Sequence, residues 1–267
     1  MNQLENDNIR TAVREQYGRV AASSSAGCGC AATSCCDASG SDPNAISMEL
    51  GYSNADVSDV PAGANMGLGC GNPKAIAALQ PGETVLDLGS GGGFDCFLAA
   101  REVGATGRVI GVDMTPEMIS KARKNADKSN YTHVEFRLGE IENLPVADAV
   151  VDVIISNCVI NLSPEKAKIF QESFRVLKPG GRIAISDVVA TVELTDKQKG
   201  DMALFTGCMS GASMITDLEN MLKDAGFDEI EIKPKDESRA FMRNWVRGSK
   251  MEDYVVAATI EAIKPVV

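Results

Sequence analysis

At 267 residues the chain is long enough for one α/β domain with additions at either end. Its net charge of −11, with no local cluster of lysines or arginines, argues against a nucleic-acid partner, because an acidic surface repels phosphate backbones. No apolar run is long enough to span a bilayer, and the first residues lack the pattern of a secretory signal. We therefore expect a cytoplasmic protein without a membrane partner, whose eight cysteines are not a disulfide framework.

The N-terminal segment is predicted to contain a helix, a flexible arm and a second helix. Apolar residues recur at helical spacing over residues 4–19, at Leu4, Ile9, Val13 and Tyr17. Residues 22–42 are rich in Ser, Gly, Ala and Cys, a composition that builds no core, so we predict a mobile loop. The Asp42-Pro43 pair is a helix start signal, which predicts a short helix through Leu50.

From residue 72 onward, short apolar strands alternate with helices. Strands are predicted over residues 84–88, 109–112, 134–138, 151–156 and 182–187, and helices over 94–103, 116–128 and 164–177. After this rhythm ends, residues 196–205 and 216–225 are predicted to be helical, and residues 229–232 and 254–260 to form two closing strands. The expected fold is α/β, a doubly wound, mostly parallel, seven-stranded Rossmann-like sheet with N-terminal and inserted helical cap segments.

We divide the chain into three parts: an N-terminal helix with a flexible cysteine-rich arm over residues 1–65, a Rossmann-like domain over 66–190, and cap helices with closing strands over 191–267. The inserted helices should overhang the carboxyl ends of the strands, where open α/β sheets bind their ligands.

A glycine-rich turn follows the first predicted strand in the sequence Val85-Leu86-Asp87-Leu88-Gly89-Ser90-Gly91-Gly92-Gly93-Phe94-Asp95. Such a turn lets the backbone approach a ligand's sugar and carboxylate, although dinucleotide enzymes and plain turns also carry glycines. Phe94 stands where a dinucleotide fingerprint has its third glycine, and its bulk opposes that fingerprint. Asp113 ends the second strand, where it can accept hydrogen bonds from both hydroxyls of a free ribose.

Two later motifs strengthen this pattern: Leu138-Gly139-Glu140-Ile141-Glu142-Asn143-Leu144-Pro145, and Phe174-Arg175-Val176-Leu177-Lys178-Pro179-Gly180-Gly181. Over roughly residues 66–190 the chain resembles the class I S-adenosylmethionine-dependent methyltransferases. The resemblance implies S-adenosyl-L-methionine as the cofactor. It assigns the methionine part to Asp87, Gly89, Ser90 and Gly91, the ribose to Asp113 with Met114 beside it, and the adenine to Ile141 and Glu142.

Three cysteines stand in loops that should converge on one pocket: Cys70 in residues 66–73, Cys158 in residues 156–162 and Cys208 in residues 205–209. A lone cysteine is most often a small buried apolar residue, which is our interpretation of Cys96 inside a helix. The glycines beside Cys70 and Cys208 indicate loops instead, so we expect reachable thiols. Trivalent arsenic is soft and keeps a lone pair, so three thiolates can hold it as a nucleophile without a general base.

The segments over residues 66–73, 156–162 and 205–212 resemble those of the arsenite methyltransferases. The resemblance implies arsenite, or thiol-conjugated arsenite, as substrate and Cys70, Cys158 and Cys208 as its catalytic arsenic(III) ligands. It also implies an N-terminal cysteine that forms a disulfide with Cys70, which thioredoxin or glutathione then reduces. Four residues could fill this role, and we favour the last two of Cys28, Cys30, Cys35 and Cys36; metal binding by this arm is the alternative.

Two other functions fit parts of the pattern. The same fold could methylate an organic small molecule such as a quinone, because fold alone does not determine the acceptor. The second alternative is a non-catalytic thiol protein that binds zinc or senses oxidation, although such a protein has no need for a nucleotide pocket. The only histidine, His133, is expected at a surface or strand end, and Trp245 in ordinary packing or over the pocket.

Overall fold

The computed structural model describes residues 3–22, 42–243, 245 and 249–266. The predicted mobile loop, with Cys28, Cys30, Cys35 and Cys36, lies outside the described residues. Within the described ranges the helices are α1 (Gln3–Ala22), α2 (Pro43–Glu49), α3 (Asn54–Ser58), α4 (Lys74–Ala77), α5 (Phe94–Val103), α6 (Pro116–Lys128), α7 (Lys166–Val176), α8 (Asp196–Lys199), α9 (Met202–Thr206), α10 (Ile215–Ala225) and α11 (Arg239–Met242). Three short 3-10 helices cover Ile160–Leu162, Asp236–Ser238 and Met251–Asp253.

One sheet runs through the centre of the protein. Its strands are β1 (Thr84–Leu88), β2 (Arg108–Asp113), β3 (Val134–Leu138), β4 (Val151–Asn157), β5 (Leu177–Ala190), β6 (Ser213–Met214), β7 (Asp228–Lys235) and β8 (Val255–Ile263). Their order is β3-β2-β1-β4-β5-β8-β7, with β6 paired to β5 beside this path. The first five strands are parallel, whereas β8 is antiparallel to both of its neighbours.

The doubly wound, mostly parallel α/β fold is therefore confirmed. The strand count differs by one, because the two-residue β6 is too short to produce a periodic signal in the sequence. From β1 the chain first winds outward to β3 and then returns to β4 on the other side of β1. This reversal creates a crevice at the carboxyl ends of β1 and β4, where such sheets bind ligands.

The sheet is buried on both faces, which explains why its central strands are almost continuously apolar. Val85 packs toward the layer that contains α5 and α6, while its neighbour Leu86 packs toward the layer that contains α7 and α10. A third apolar cluster lies beyond the carboxyl edge and includes Val13 of α1 together with three cysteines: Cys70, Cys158 and Cys208. The hydrophobic core thus extends directly into the thiol region.

Two predicted elements differ most from the structure in their bounds. The helix predicted over residues 196–205 is two helices, because the Asp201 carboxylate accepts hydrogen bonds from the N–H groups of Ala203 and Leu204 and so starts α9 anew. Strand β5 begins at Leu177, before its predicted start, and the extra residues between Leu177 and Arg182 form a register irregularity opposite Val151 and Val153 of β4. In the described part of the chain, no helix is long and apolar enough to cross a membrane.

Candidate active site

A cavity of about 630 Å³ opens at the crevice beside the carboxyl ends of β1, β2 and β4. The glycine-rich turn after β1 forms one wall, and the loops that carry Cys158 and Cys208 form another. Helices α1 and α2 contribute Val13, Tyr17 and Ile46 from the N-terminal side. The cavity is thus bounded by both halves of the pattern that the sequence predicts.

The wall formed by the glycine-rich turn is shaped for close approach to a ligand. Gly89 has a φ of 71°, and a Cβ at this position would overlap Val159, so a side chain here is excluded. Asp113 fixes the turn from β2: its Oδ2 accepts the Gly91 N–H at 2.9 Å and its Oδ1 accepts the Thr115 N–H at 2.8 Å. Within the described residues the buried Ser90 hydroxyl has no hydrogen-bond partner.

All eight residues that the sequence assigns to a cofactor line this cavity: Asp87, Gly89, Ser90, Gly91, Asp113, Met114, Ile141 and Glu142. Glu142 is the most constrained of these side chains. Its Oε1 accepts hydrogen bonds from Ser163 Oγ at 2.6 Å and from Arg10 Nε at 3.2 Å. Arg10 also pairs with Glu165 at 2.5 Å and with Glu140 at 3.7 Å, so three carboxylates attach α1 to the rim of the site.

Two buried carboxyls lie beneath the glycine-rich turn, and the sequence indicated only one of them. Burial, and then the charge of Asp95, raise the pKa of Asp87 well above its usual value. Burial likewise raises the pKa of Asp95 to about 6, although the hydroxyl of Tyr52 donates to it at 2.6 Å. Cys96 is buried in α5 as predicted and donates to Asp87 at 3.2 Å.

The three loop cysteines meet at the other side of the cavity. The Sγ atoms of Cys70 and Cys158 lie within 4.8 Å of each other, and Cys208 Sγ donates to the carbonyl of Cys158 at 2.8 Å. Their side chains are buried, with exposed fractions of 2%, 7% and 3% for Cys70, Cys158 and Cys208. The thiols are not at the protein surface, because α1 and the loop after α9 cover them. Cys158 and Cys208 line the cavity, in keeping with the expectation of reachable thiols, whereas Cys70 does not line it.

Two of these cysteines have an unusual backbone. Cys158 has a φ of 59° and Cys208 a φ of 62°, which is the left-handed region that residues with a Cβ adopt rarely. Each costs on the order of 1–2 kcal/mol and persists only where surrounding contacts enforce it. At Cys158 one such contact is the bond from its N–H to the carbonyl of Ser186, at 2.8 Å.

Burial and mutual interaction keep the thiols protonated. Burial raises the pKa of Cys70, and the nearby carboxylate of Asp187 adds to the increase. For Cys158, the hydrogen bond from Cys208 lowers the pKa, but the bond with Cys70 and burial together raise it well above its usual value. The bond with Cys158 and burial do the same for Cys208. At neutral pH the cluster therefore contains three neutral thiols rather than thiolates.

Helix α1 closes the cavity above the thiols. The Tyr17 hydroxyl donates to the carbonyl of Thr206 at 3.3 Å and lies 4.0 Å from Cys208 Sγ. Trp245 lines the cavity and packs against Phe241, with ring centroids 5.6 Å apart, so both roles expected for it are combined. His133 lies immediately before β3, and its Nε2 is 3.2 Å from the carbonyl of Ala100, far from the thiols in the fold.

Residues 79–226 match the family model described as a methyltransferase domain. An arsenite methyltransferase from Halobacterium salinarum is 55% identical over 97% of this chain and 67% of its own length. The chain belongs to the arsenite methyltransferase family. The family resemblance inferred from the glycine-rich turn and the three cysteine loops is thereby confirmed.

Other members of the arsenite methyltransferase family are similar over most of the chain. One from Aquipseudomonas alcaligenes is 40% identical over 83% of this chain and 62% of its own length. The crystal structure of an arsenic(III) S-adenosylmethionine methyltransferase from Chlamydomonas reinhardtii is 32% identical, with a TM-score of 0.61, over 84% of this chain and 74% of that one. The chain thus spans about two thirds of the length of the relatives from Halobacterium salinarum and Aquipseudomonas alcaligenes.

Proposed function

We propose that this member of the arsenite methyltransferases transfers a methyl group from S-adenosylmethionine to trivalent arsenic held by Cys70, Cys158 and Cys208. The observation that carries the proposal is a cluster of these three thiols, two of which, Cys158 and Cys208, line the same cavity as the glycine-rich turn. One cavity can therefore hold a soft acceptor beside a methyl donor.

The cofactor half fits S-adenosylmethionine by its donors and its shape. The side-chain-free turn at Gly89 suits the methionine part, and Asp113 is at the strand end that suits a ribose. When bound, this cofactor supplies a methyl group on a positively charged sulfur. The residues of the turn bind and orient it, while the apolar cover from α1 excludes water.

The neutral thiols determine how arsenite would bind. Each of the three hydroxides of arsenite leaves as water, taking one thiol proton, and three arsenic–sulfur bonds form in their place. Neither an external base nor an acid is consumed. Arsenic then keeps a lone pair, and its attack on the methyl group leaves S-adenosylhomocysteine and a methylated arsenic centre that is formally two electrons more oxidised.

Return of arsenic to its trivalent state requires two electrons from a pair of thiols. We assign that role to Cys70 and an N-terminal cysteine, Cys35 or Cys36, with thioredoxin or glutathione reducing the resulting disulfide. Such a cycle requires a reducing compartment, in keeping with the cytoplasm.

The proposal is tested by incubating the reduced, purified protein with arsenite, a thiol and S-adenosylmethionine, and separating the arsenic species by chromatography with mass detection. We expect methylarsenicals from the wild type and from Cys96→Ser, a matched control whose thiol is outside the cluster. Cys158→Ser and Cys208→Ser should lose the activity. No methylarsenical from the wild type would contradict the proposal and favour an organic acceptor, whereas undiminished methylarsenical from Cys158→Ser would contradict the three-thiol arsenic site.

A further inference from the structure

Asp187 brings a carboxylate into the thiol cluster that trivalent arsenic does not need. A carboxylate oxygen of Asp187 and the Sγ atoms of Cys70 and Cys158 all lie within 4.8 Å of one another. The three residues are buried, Asp187 with an exposed fraction of 1%. Arsenic is satisfied by three sulfurs. The carboxylate oxygen beside two sulfur atoms therefore provides a donor set for a second kind of ligand.

Part of this carboxylate is free to bind. Asp187 Oδ1 accepts two hydrogen bonds, from Asn161 Nδ2 at 2.8 Å and from the Val188 N–H at 2.7 Å. Its Oδ2 accepts the Ile160 N–H at 2.8 Å, and no second hydrogen bond to this oxygen is found among the described residues, so it retains a lone pair. Lys166, the cation whose charge acts on Asp187, donates instead to the Gly211 carbonyl at 2.6 Å.

The cluster also holds negative charge without a salt bridge. Among the described residues, no lysine or arginine side chain lies within ion-pair distance of Asp187. A buried carboxylate that lacks a cationic partner is costly, and a divalent cation removes that cost by binding it directly. The donor set of two sulfurs and one oxygen matches a borderline-soft cation.

We infer that Cys70, Cys158 and Asp187 form a binding site for a soft divalent cation, Zn²⁺ or Cd²⁺, which overlaps the arsenic site. Two thiolates on one tetrahedral zinc ion are about 3.8 Å apart, given zinc–sulfur bonds of about 2.3 Å, and the observed separations lie within reach of that value. The fourth position is left to water. On binding, two thiols release their protons to solvent, and the carboxylate binds as the anion.

The functional consequence rests on the proposed function. Because the cation takes two of the three thiols assigned to arsenic, it inhibits methylation in competition with arsenite. It leaves the cofactor wall untouched, so S-adenosylmethionine does not relieve the inhibition. The intracellular concentration of zinc or cadmium would thereby determine the fraction of the enzyme that can bind arsenite.

The test is a titration of reduced full-length protein with Cd²⁺ alone, followed by the ultraviolet absorbance of cadmium–thiolate bonds. Cys28, Cys30, Cys35 and Cys36 are replaced by serine in every sample, so that the arm contributes no thiols. We expect one Cd²⁺ per chain, with two protons released on binding. Asp187→Asn should weaken the affinity for Cd²⁺ by about tenfold or more. The same variant should still bind arsenite, since arsenite is bound by sulfur alone.

Two serine variants keep the inference falsifiable if Asp187→Asn does not fold. Cys208→Ser should retain Cd²⁺ but lose tight arsenite binding, and Cys158→Ser should lose both; Cys96→Ser is the matched control and should retain both. Equal Cd²⁺ affinities in wild type, Asp187→Asn and Cys158→Ser would overturn the site, as would loss of Cd²⁺ in Cys208→Ser. Cadmium binding without arsenite binding would instead overturn the proposed function and leave this site standing.

Discussion

The side-chain oxygen of Asn157 accepts a hydrogen bond of 3.0 Å from the backbone N–H of Cys70. The amide nitrogen of the same side chain donates to the carbonyl of Gly71 at 2.9 Å and to the hydroxyl of Tyr52 at 3.0 Å. One side chain at the end of β4 therefore holds the Cys70 loop on both sides of the cysteine. Gly69 has to be a glycine for this contact, because a Cβ there would lie 2.8 Å from the Asn157 amide.

Asn157→Ala should loosen the Cys70 loop. Removal of this amide leaves a buried N–H and a buried carbonyl without partners, which costs about 1–3 kcal/mol, and we expect arsenite affinity to fall by roughly tenfold. Affinity for S-adenosylmethionine should change less than about threefold. Calorimetric titration with each ligand measures both, and Asn143→Ala, at an exposed turn, is the control. Loss of folding stability with arsenite affinity intact would show that Asn157 is structural only.

Cys208→Gly and Cys208→Ala test the strain at the thiol cluster. Neither variant can bind arsenic through this position, but glycine adopts a φ of 62° freely and alanine does not. In urea unfolding, the free energy of unfolding of Cys208→Gly should exceed that of Cys208→Ala by about 1 kcal/mol. Cys70 is outside the left-handed region, so the same pair of substitutions there should have the opposite order. The same order at both positions would refute the assignment of strain to Cys208.

Asp113→Ala should act on the cofactor and leave arsenic binding unchanged. It removes the acceptor for the N–H groups of Gly91 and Thr115, and with them the shape of the glycine-rich turn. We expect the dissociation constant of S-adenosylmethionine to rise by about tenfold or more, as measured by fluorescence or calorimetry. The control is Asp127→Ala, an exposed aspartate on α6. An unchanged cofactor affinity would exclude Asp113 from the cofactor site.

Arsenite binding should exchange no protons with the buffer near neutral pH. The pKa of each thiol is raised, so each is protonated before binding, and its proton leaves with a hydroxide as water. Had the pKa values been depressed below neutrality, three thiolates would take up three protons from solution. Calorimetry in two buffers with different ionisation enthalpies gives the number directly. Substantial proton uptake would mean that the cluster holds thiolates.

The sequence was sufficient for the sheet, for the turn after β1 and for the three cysteine loops, because each depends on local patterns of apolar residues and glycines. Short elements such as α3, α4, α11 and β6 were missed, since two to five residues contain no measurable period. The domain boundaries at residues 65 and 190, and the roles of Cys35 and Cys36, stay predictions.

Interactions between distant residues were beyond the sequence. Asn157 reaches partners 62 to 105 positions away along the chain, and its only local signal is its place directly before Cys158. Asp187 was read only as the end of a strand, because its proximity to Cys70 and Cys158 arises from the pairing of β4 with β5. The left-handed backbone of Cys158 and Cys208 likewise could not be predicted from the sequence, since cysteine is not a residue that favours this conformation.

The most direct test of the account is an arsenite titration of reduced wild-type protein and of Cys70→Ser, Cys158→Ser and Cys208→Ser, with bound arsenic counted by mass detection and S-adenosylmethionine added afterwards. We expect one tightly bound arsenic per wild-type chain, weaker binding in each of the three variants, and methylarsenicals after the cofactor is added. Arsenic binding that is indifferent to all three substitutions would contradict it, and would leave a methyltransferase with a different acceptor.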